Sequence, residues 1–113
     1  MLNYALIAFA ITAVGGLLLA ASVLRNRLAP WALSLVHALL GATGLGFVIV
    51  ALMRGAGQMV LIGFVILAVA ALGGFYLASL HLKGRIAPKA IVAVHALAAV
   101  AGFLTLVGAA LQA

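Results

Sequence analysis

Two histidines occupy equivalent places in a sequence that repeats itself. The segment from Arg27 to His37 reads RLAPWALSLVH, and the segment from Arg85 to His95 reads RIAPKAIVAVH. Imidazoles in apolar surroundings can ligate a metal ion, carry protons or form hydrogen bonds between helices. Which of these roles the two histidines can have depends on the distance between them, and therefore on the helices that carry them.

The composition of the chain places it in a membrane. Of its 113 residues, 70% are hydrophobic and only 5% are charged, and the mean hydropathy is +1.50. A helix needs about 20 residues to cross a hydrocarbon core of about 30 Å, so a chain of this length has room for about four spans. We predict an all-α membrane protein with a single transmembrane domain over residues 1–113.

The residue types that are missing exclude several kinds of chemistry. The chain has no Asp, Glu or Cys. Carboxylates are the usual proton carriers and cation ligands inside membranes. Paired-acid hydrolysis, carboxylate metal sites and thiol or iron–sulfur chemistry are therefore excluded for a single chain. We expect no enzyme, although a non-catalytic electron-transfer subunit of an oxidoreductase complex remains open, and the net charge of +6 gives no case for nucleic acid binding.

Four apolar runs separated by short turns predict four transmembrane helices, at approximately 2–24, 30–53, 58–82 and 88–111. Pro30 and Pro88 are placed in first helical turns, where the missing N–H of proline removes no hydrogen bond. We predict a four-transmembrane-helix up-down bundle.

The internal repeat is the strongest feature of the sequence. Repeat one, 1–55, aligns without a gap with repeat two, 59–113, and gives 18 identities in 55 positions. The matches least expected by chance are Gly15/Gly73, Gly16/Gly74, Arg27/Arg85, Pro30/Pro88, His37/His95 and Gly44/Gly102. Because each unit holds two spans, we predict two tandem, parallel two-helix repeats that place equivalent residues at equal depth.

The basic residues predict the orientation in the membrane. Arg54 lies by the second turn, while the others flank the first and third turns: Arg25, Arg27, Lys83, Arg85 and Lys89. The positive-inside rule then places the first and third turns in the cytoplasm and both termini on the opposite side. We expect a bacterial inner membrane, where the same charges also attract anionic lipid.

The depth of the two histidines suggests a ligand pair. His37 follows Pro30 by seven residues, which is about 10 Å of helix, and His95 follows Pro88 in the same way. In the predicted bundle the second and fourth helices are diagonal, with axes roughly 12–14 Å apart, too far for the imidazoles to touch. That separation suits two axial ligands of one macrocycle, so we predict that His37 and His95 bind a single haem b.

Small and basic residues complete the predicted cofactor site. Six glycines lie level with the histidines or on their helix faces and are predicted to leave room for the macrocycle: Gly15, Gly16, Gly73, Gly74, Gly44 and Gly102. Close helix packing is the alternative role for such glycines. Arg27 and Arg85 are expected to supply positive charge to the haem propionates.

A third histidine, His81, breaks the repeat because its equivalent is Val23. It is predicted to meet lipid headgroups, with a propionate contact or one wall of a quinone site as alternatives. Tyr4 and Trp31 are expected to be interfacial anchors.

The spacing of His37, His95 and the glycines resembles that of membrane b-type cytochromes, in which histidines on two transmembrane helices hold a haem and glycines make room for it. The resemblance implies a cytochrome that exchanges electrons with a quinone or with other redox subunits of a membrane complex, surrounded by the lipid bilayer. The chain could also form a homo-oligomer.

Other functions remain open at this point. A cofactor-free structural or assembly subunit of a larger complex is the main rival. A proton-coupled transporter is disfavoured because the membrane carboxylate is missing. The histidines could also serve quinone, proton or copper chemistry, or could each ligate a chlorophyll-type pigment.

Overall fold

Four long helices account for nearly the whole chain. The computed structural model describes all 113 residues, with α1 at Leu2–Leu24, α2 at Trp31–Met53, α3 at Gln58–Leu82 and α4 at Lys89–Leu111. Each helix is long and apolar enough to cross a membrane. The prediction of an all-helical integral membrane protein is therefore confirmed at this level, and its apolar outer surface is suited to contact with lipid.

Two helix starts differ by one residue from the predicted positions. Pro30 and Pro88 are N-caps with extended backbone, not the first helical residues. Each proline carbonyl accepts a helical hydrogen bond, from the N–H of Ser34 and of Val92 respectively. The prolines thus set the direction in which α2 and α4 leave the preceding turns.

The first and third turns share one backbone design. Asn26 and Gly84 have left-handed backbones, with φ of 56° and 68°. The next residue, Arg27 or Arg85, donates its N–H to the carbonyl five positions earlier, as in a Schellman motif. Arg27 and Arg85 therefore occupy equivalent backbone positions in the first and third turns.

The helices form a ring of four in which each packs against two neighbours. Helix α1 contacts α2 and α4, and α3 contacts α2 and α4, whereas α2 and α4 make no close backbone approach. Packing is more extensive between α1 and α2, the first pair, and between α3 and α4, the second pair. His37 on α2 and His95 on α4 consequently come from opposite corners of the ring.

The main cluster of buried hydrophobic residues fills one half of the bundle. Its six residues lie near the chain termini and the second turn: Ala5, Phe9, Val48, Val60, Leu67 and Leu106. No polar or charged residue is buried with them. We call this packed part the closed half, and the part nearer the first and third turns, which contains both histidines, the open half.

Candidate functional site

A cleft separates the first pair from the second pair in the open half. Its volume is about 440 Å³, within the range of about 300–1,000 Å³ that is usual for small-molecule and cofactor sites. Most of its lining is apolar, with Phe9 and Leu67 shared between the cleft and the core of the closed half. Its basic and titratable lining residues are His37, His81, His95, Arg27 and Arg85.

His37 and His95 make the same hydrogen bond in their own pairs. The Nδ1–H of His37 donates to the carbonyl of Thr12 at 2.9 Å, and the Nδ1–H of His95 donates to the carbonyl of Ala70 at 2.7 Å. A carbonyl can only accept, so Nδ1 carries a proton, and in the neutral form of each ring the lone pair is on Nε2. Neither Nε2 makes a hydrogen bond within the protein. This orientation of the ring by a backbone acceptor is the usual arrangement of a metal-binding histidine.

The two imidazoles lie at the separation expected for axial ligands of one metal. Their ring centroids are 6.3 Å apart and their planes are inclined by 74°. Two imidazoles on opposite sides of a metal have centroids about 6 Å apart, because each nitrogen is about 2.0 Å from the metal and about 1.1 Å from its ring centre. The inclination is compatible with such a pair, since rings that share an axis can take any rotation about it.

The donor set suits haem iron better than a bare ion. No three His, Cys, Asp or Glu side chains lie close enough together to hold one metal ion. A zinc site usually takes three or four protein ligands, whereas a haem iron needs only its axial positions filled. Two imidazoles without a carboxylate are therefore a sufficient donor set only where a macrocycle provides the other ligands.

Four of the predicted glycines lie against the imidazoles themselves. A Cβ on Gly16 would be 3.0 Å from Cε1 of His37, and a Cβ on Gly74 would be 3.1 Å from Cε1 of His95. A Cβ on the preceding glycines would lie 3.8 Å from Nδ1 of His37 for Gly15 and 3.7 Å from Nδ1 of His95 for Gly73. These glycines allow each ring to approach the neighbouring helix closely enough to reach its backbone carbonyl. Gly16 and Gly74 also line the cleft.

Gly44 and Gly102 have different neighbours. A Cβ on Gly44 would lie 2.6 Å from Cε1 of Phe9, and a Cβ on Gly102 would lie 2.6 Å from Cγ of Leu67. Both glycines are buried and neither lines the cleft. Gly44 and Gly102 therefore have a packing role. They affect the cleft indirectly, because they leave room for Phe9 and Leu67, the two side chains that form its floor.

Arg27 and Arg85 line the cleft from the first and third turns. Both are exposed, and the chain has no Asp or Glu side chain with which they could pair. An anionic group at this end of the cleft would therefore meet two guanidinium groups that have no competing carboxylate side chain.

His81 has a set of contacts that sequence reasoning missed. Its Nε2–H donates to the carbonyl of Ala29 at 2.9 Å, and the hydroxyl of Ser34 donates to its Nδ1 at 3.2 Å. Its ring also stacks on Trp31, with centroids 4.2 Å apart and planes inclined by 13°. His81 thus fastens the end of α3 to the start of α2, and both of its nitrogens bond to protein groups and not to headgroups.

A signal for these contacts was present in the sequence. His81, Ser34 and Trp31 are three positions at which the repeats differ, with Val23, Val92 and Lys89 as their equivalents. Departures from a repeat that lie near one turn could have been tested as a group of interacting residues.

Comparisons with protein-family models, curated proteins and solved structures find no match to this chain. The chemistry of the site therefore rests on its own residues.

Proposed function

We propose that the chain is a membrane electron-transfer protein that binds one b-type haem through His37 and His95. The observation that carries the proposal is the imidazole pair itself, with centroids 6.3 Å apart and both Nε2 atoms free of protein hydrogen bonds. The pair lines a cleft of cofactor size between two helices that make no close backbone approach.

The surrounding residues have distinct parts in this proposal. A bound haem supplies a centre that gains and loses one electron. Thr12 and Ala70 hold the histidine rings in one tautomer through their carbonyls. Arg27 and Arg85 offset the propionate charge and favour the reduced, less positive iron, because positive charge nearby disfavours further positive charge. The apolar floor keeps bulk water from the lower side of the cleft.

We further propose that the four helices run up and down through the membrane as two tandem, parallel repeats. The matching turn geometry of Arg27 and Arg85 and the matching hydrogen bonds of His37 and His95 support this arrangement. The charge bias supports an orientation with the first and third turns in the cytoplasm of a bacterial cell and both termini on the opposite side of the inner membrane.

A haem in one half of the bundle does not carry an electron across the membrane. The proposed partners are therefore a quinone or other redox subunits of a membrane complex, and two copies of the chain could also bring their haems together.

A cofactor-free structural or assembly subunit is the second candidate, and one observation favours it. All three histidines make hydrogen bonds between helices. Such bonds stabilise helix association in lipid by about 0.6 kcal/mol on average. In this case the free Nε2 atoms of His37 and His95 would have no partner and the cleft would be filled by lipid.

A reduced minus oxidised absorption spectrum separates the two candidates. The protein would be produced in cells supplied with a haem precursor, purified, oxidised in air and reduced with dithionite. We expect sharp α and Soret bands of a low-spin b haem, with none in the double variant His37→Ala/His95→Ala. A colourless protein that also takes up no haem on reconstitution would overturn the haem proposal and leave the structural candidate.

A further inference from the structure

The side-chain hydrogen bonds between helices are distributed unevenly around the ring. His37 joins α1 to α2, His81 joins α2 to α3, and His95 joins α3 to α4. No side-chain hydrogen bond joins α4 back to α1, although these helices pack together. Side-chain hydrogen bonds therefore stabilise three of the four helix interfaces, whereas the interface between α4 and α1 relies on apolar contact.

The repeat shows what is missing at the fourth interface. Between α2 and α3, His81 bonds both to Ser34 and to the Ala29 carbonyl. The equivalent positions between α1 and α4 are Val23 and Val92, neither of which can form such a bond. The carbonyl of Ala87, equivalent to that of Ala29, has no hydrogen-bond partner in the structure.

The cleft reaches both of these interfaces. Its lining includes Ser34 and His81 on one side and Val23 and Val92 on the other. Separating α2 from α3 would break both hydrogen bonds of His81 and its stacking on Trp31. An apolar contact between helices, in contrast, can be exchanged for contact with lipid tails that are equally apolar. Opening between α1 and α4 is therefore the less costly of the two movements.

We propose that the cleft exchanges its ligand with the membrane through the interface between α1 and α4, while the His81 hydrogen bonds keep the interface between α2 and α3 closed. The ligand that suits this route is flat and apolar and carries an anionic edge, which Arg27 and Arg85 would meet at the mouth of the cleft. The identity of the ligand as haem rests on the proposed function, but the difference between the two interfaces does not.

The opening of the two helix interfaces can be measured without a cofactor. The chain has no cysteine, so pairs can be introduced for spin labels without removing native thiols. Leu24→Cys/Ala90→Cys spans α1 and α4, and its repeat equivalent Leu82→Cys/Ala32→Cys spans α2 and α3, with all four positions exposed. In lipid nanodiscs, pulsed EPR should give a distance distribution at least twice as wide for the first pair of labels. Adding His81→Val to the second label pair should widen its distribution to match. Equal widths before that change would overturn the proposal.

Ligand passage is tested by locking one interface at a time. Val23→Cys/Val92→Cys and Ser34→Cys/His81→Cys would each be joined by a short, reducible bifunctional thiol reagent. We expect the first lock to slow haem uptake by the apoprotein at least tenfold, with recovery after reduction, and the second to change uptake less than twofold. If the first cross-link leaves haem uptake unchanged, or if both cross-links inhibit uptake equally, passage between α1 and α4 is refuted. If the unlocked protein takes up no haem, the proposed function fails, and the EPR comparison alone decides how the cleft opens.

Discussion

His37 and His95 face one cleft from two helices that make no close backbone approach, with 6.3 Å between their ring centroids. Each ring is fixed by a carbonyl of its own helix pair. The separation of the rings is therefore set by how the two pairs dock, and the ligand geometry is sensitive to changes at the interfaces between the pairs.

Replacing either His37 or His95 by alanine should abolish low-spin haem binding, because an iron with one axial histidine no longer has the bis-histidine environment. The loss of the sharp α band in the reduced spectrum is the measurement. Thr43→Ala, on the same helix as His37, is the control and should keep the band, since Thr43 is exposed, does not line the cleft and bonds only within its own helix. Retention of the band in either single variant would contradict the assignment of the ligands.

Gly16→Ala and Gly74→Ala should each weaken haem binding about tenfold, which corresponds to about 1.4 kcal/mol. The new methyl group would lie 3.0 or 3.1 Å from the imidazole Cε1 and would displace the ring from its carbonyl acceptor. Titration of the apoprotein with haem measures the change. The control is Gly46→Ala, because a Cβ at Gly46 meets nothing within 4 Å. If the control weakens binding equally, the effect is not due to the ring contact.

Gly102→Ala should destabilise the bundle by about 1–3 kcal/mol, as is usual for overpacking. The added Cβ would lie 2.6 Å from Cγ of Leu67, which is buried in the closed half. Adding Leu67→Ala should recover part of the loss by removing the clashing atoms. The free energy of unfolding in detergent micelles, measured for each single variant and for the double variant, gives the coupling energy between the two positions. Purely additive effects would argue against this contact.

Removing the charge of both Arg27 and Arg85 as glutamine should lower the midpoint potential by an amount on the order of tens of millivolts. The reason is that two positive charges near the haem disfavour the more positive, oxidised iron. A redox titration followed at the α band measures the shift, and it should shrink at high salt because both side chains are exposed. Arg54→Gln, at the second turn, should leave the potential unchanged. An equal shift in Arg54→Gln would mean that the effect comes from net charge and not from the mouth of the cleft.

The helices were predictable because hydrophobic length and turn residues determine them locally. The run from Gln58 to Leu82 could be located from composition alone, and only the assignment of Pro30 and Pro88 as N-caps shifted two boundaries by one residue. Such local signals do not depend on how the helices pack.

The neighbours of individual side chains were not predictable to the same degree. Gly44 and Gly102 share a helix face with the histidines, but the sequence does not show that Phe9 and Leu67 occupy the space beside them. The contacts of His81 likewise depend on α3 and α2 meeting near their ends. Helix rotation and docking decide these contacts, and in so apolar a sequence the periodicity that would indicate rotation is weak.

The closed half has a consequence for permeability. Below the cleft, the interior is filled by side chains such as Phe9, Val48 and Leu106, and it contains no buried polar residue that could pass a proton onward. Charge that reaches the cleft from the side of the first and third turns therefore meets an electrically insulating barrier. Vesicles containing the protein should hold a pH gradient as long as protein-free vesicles do.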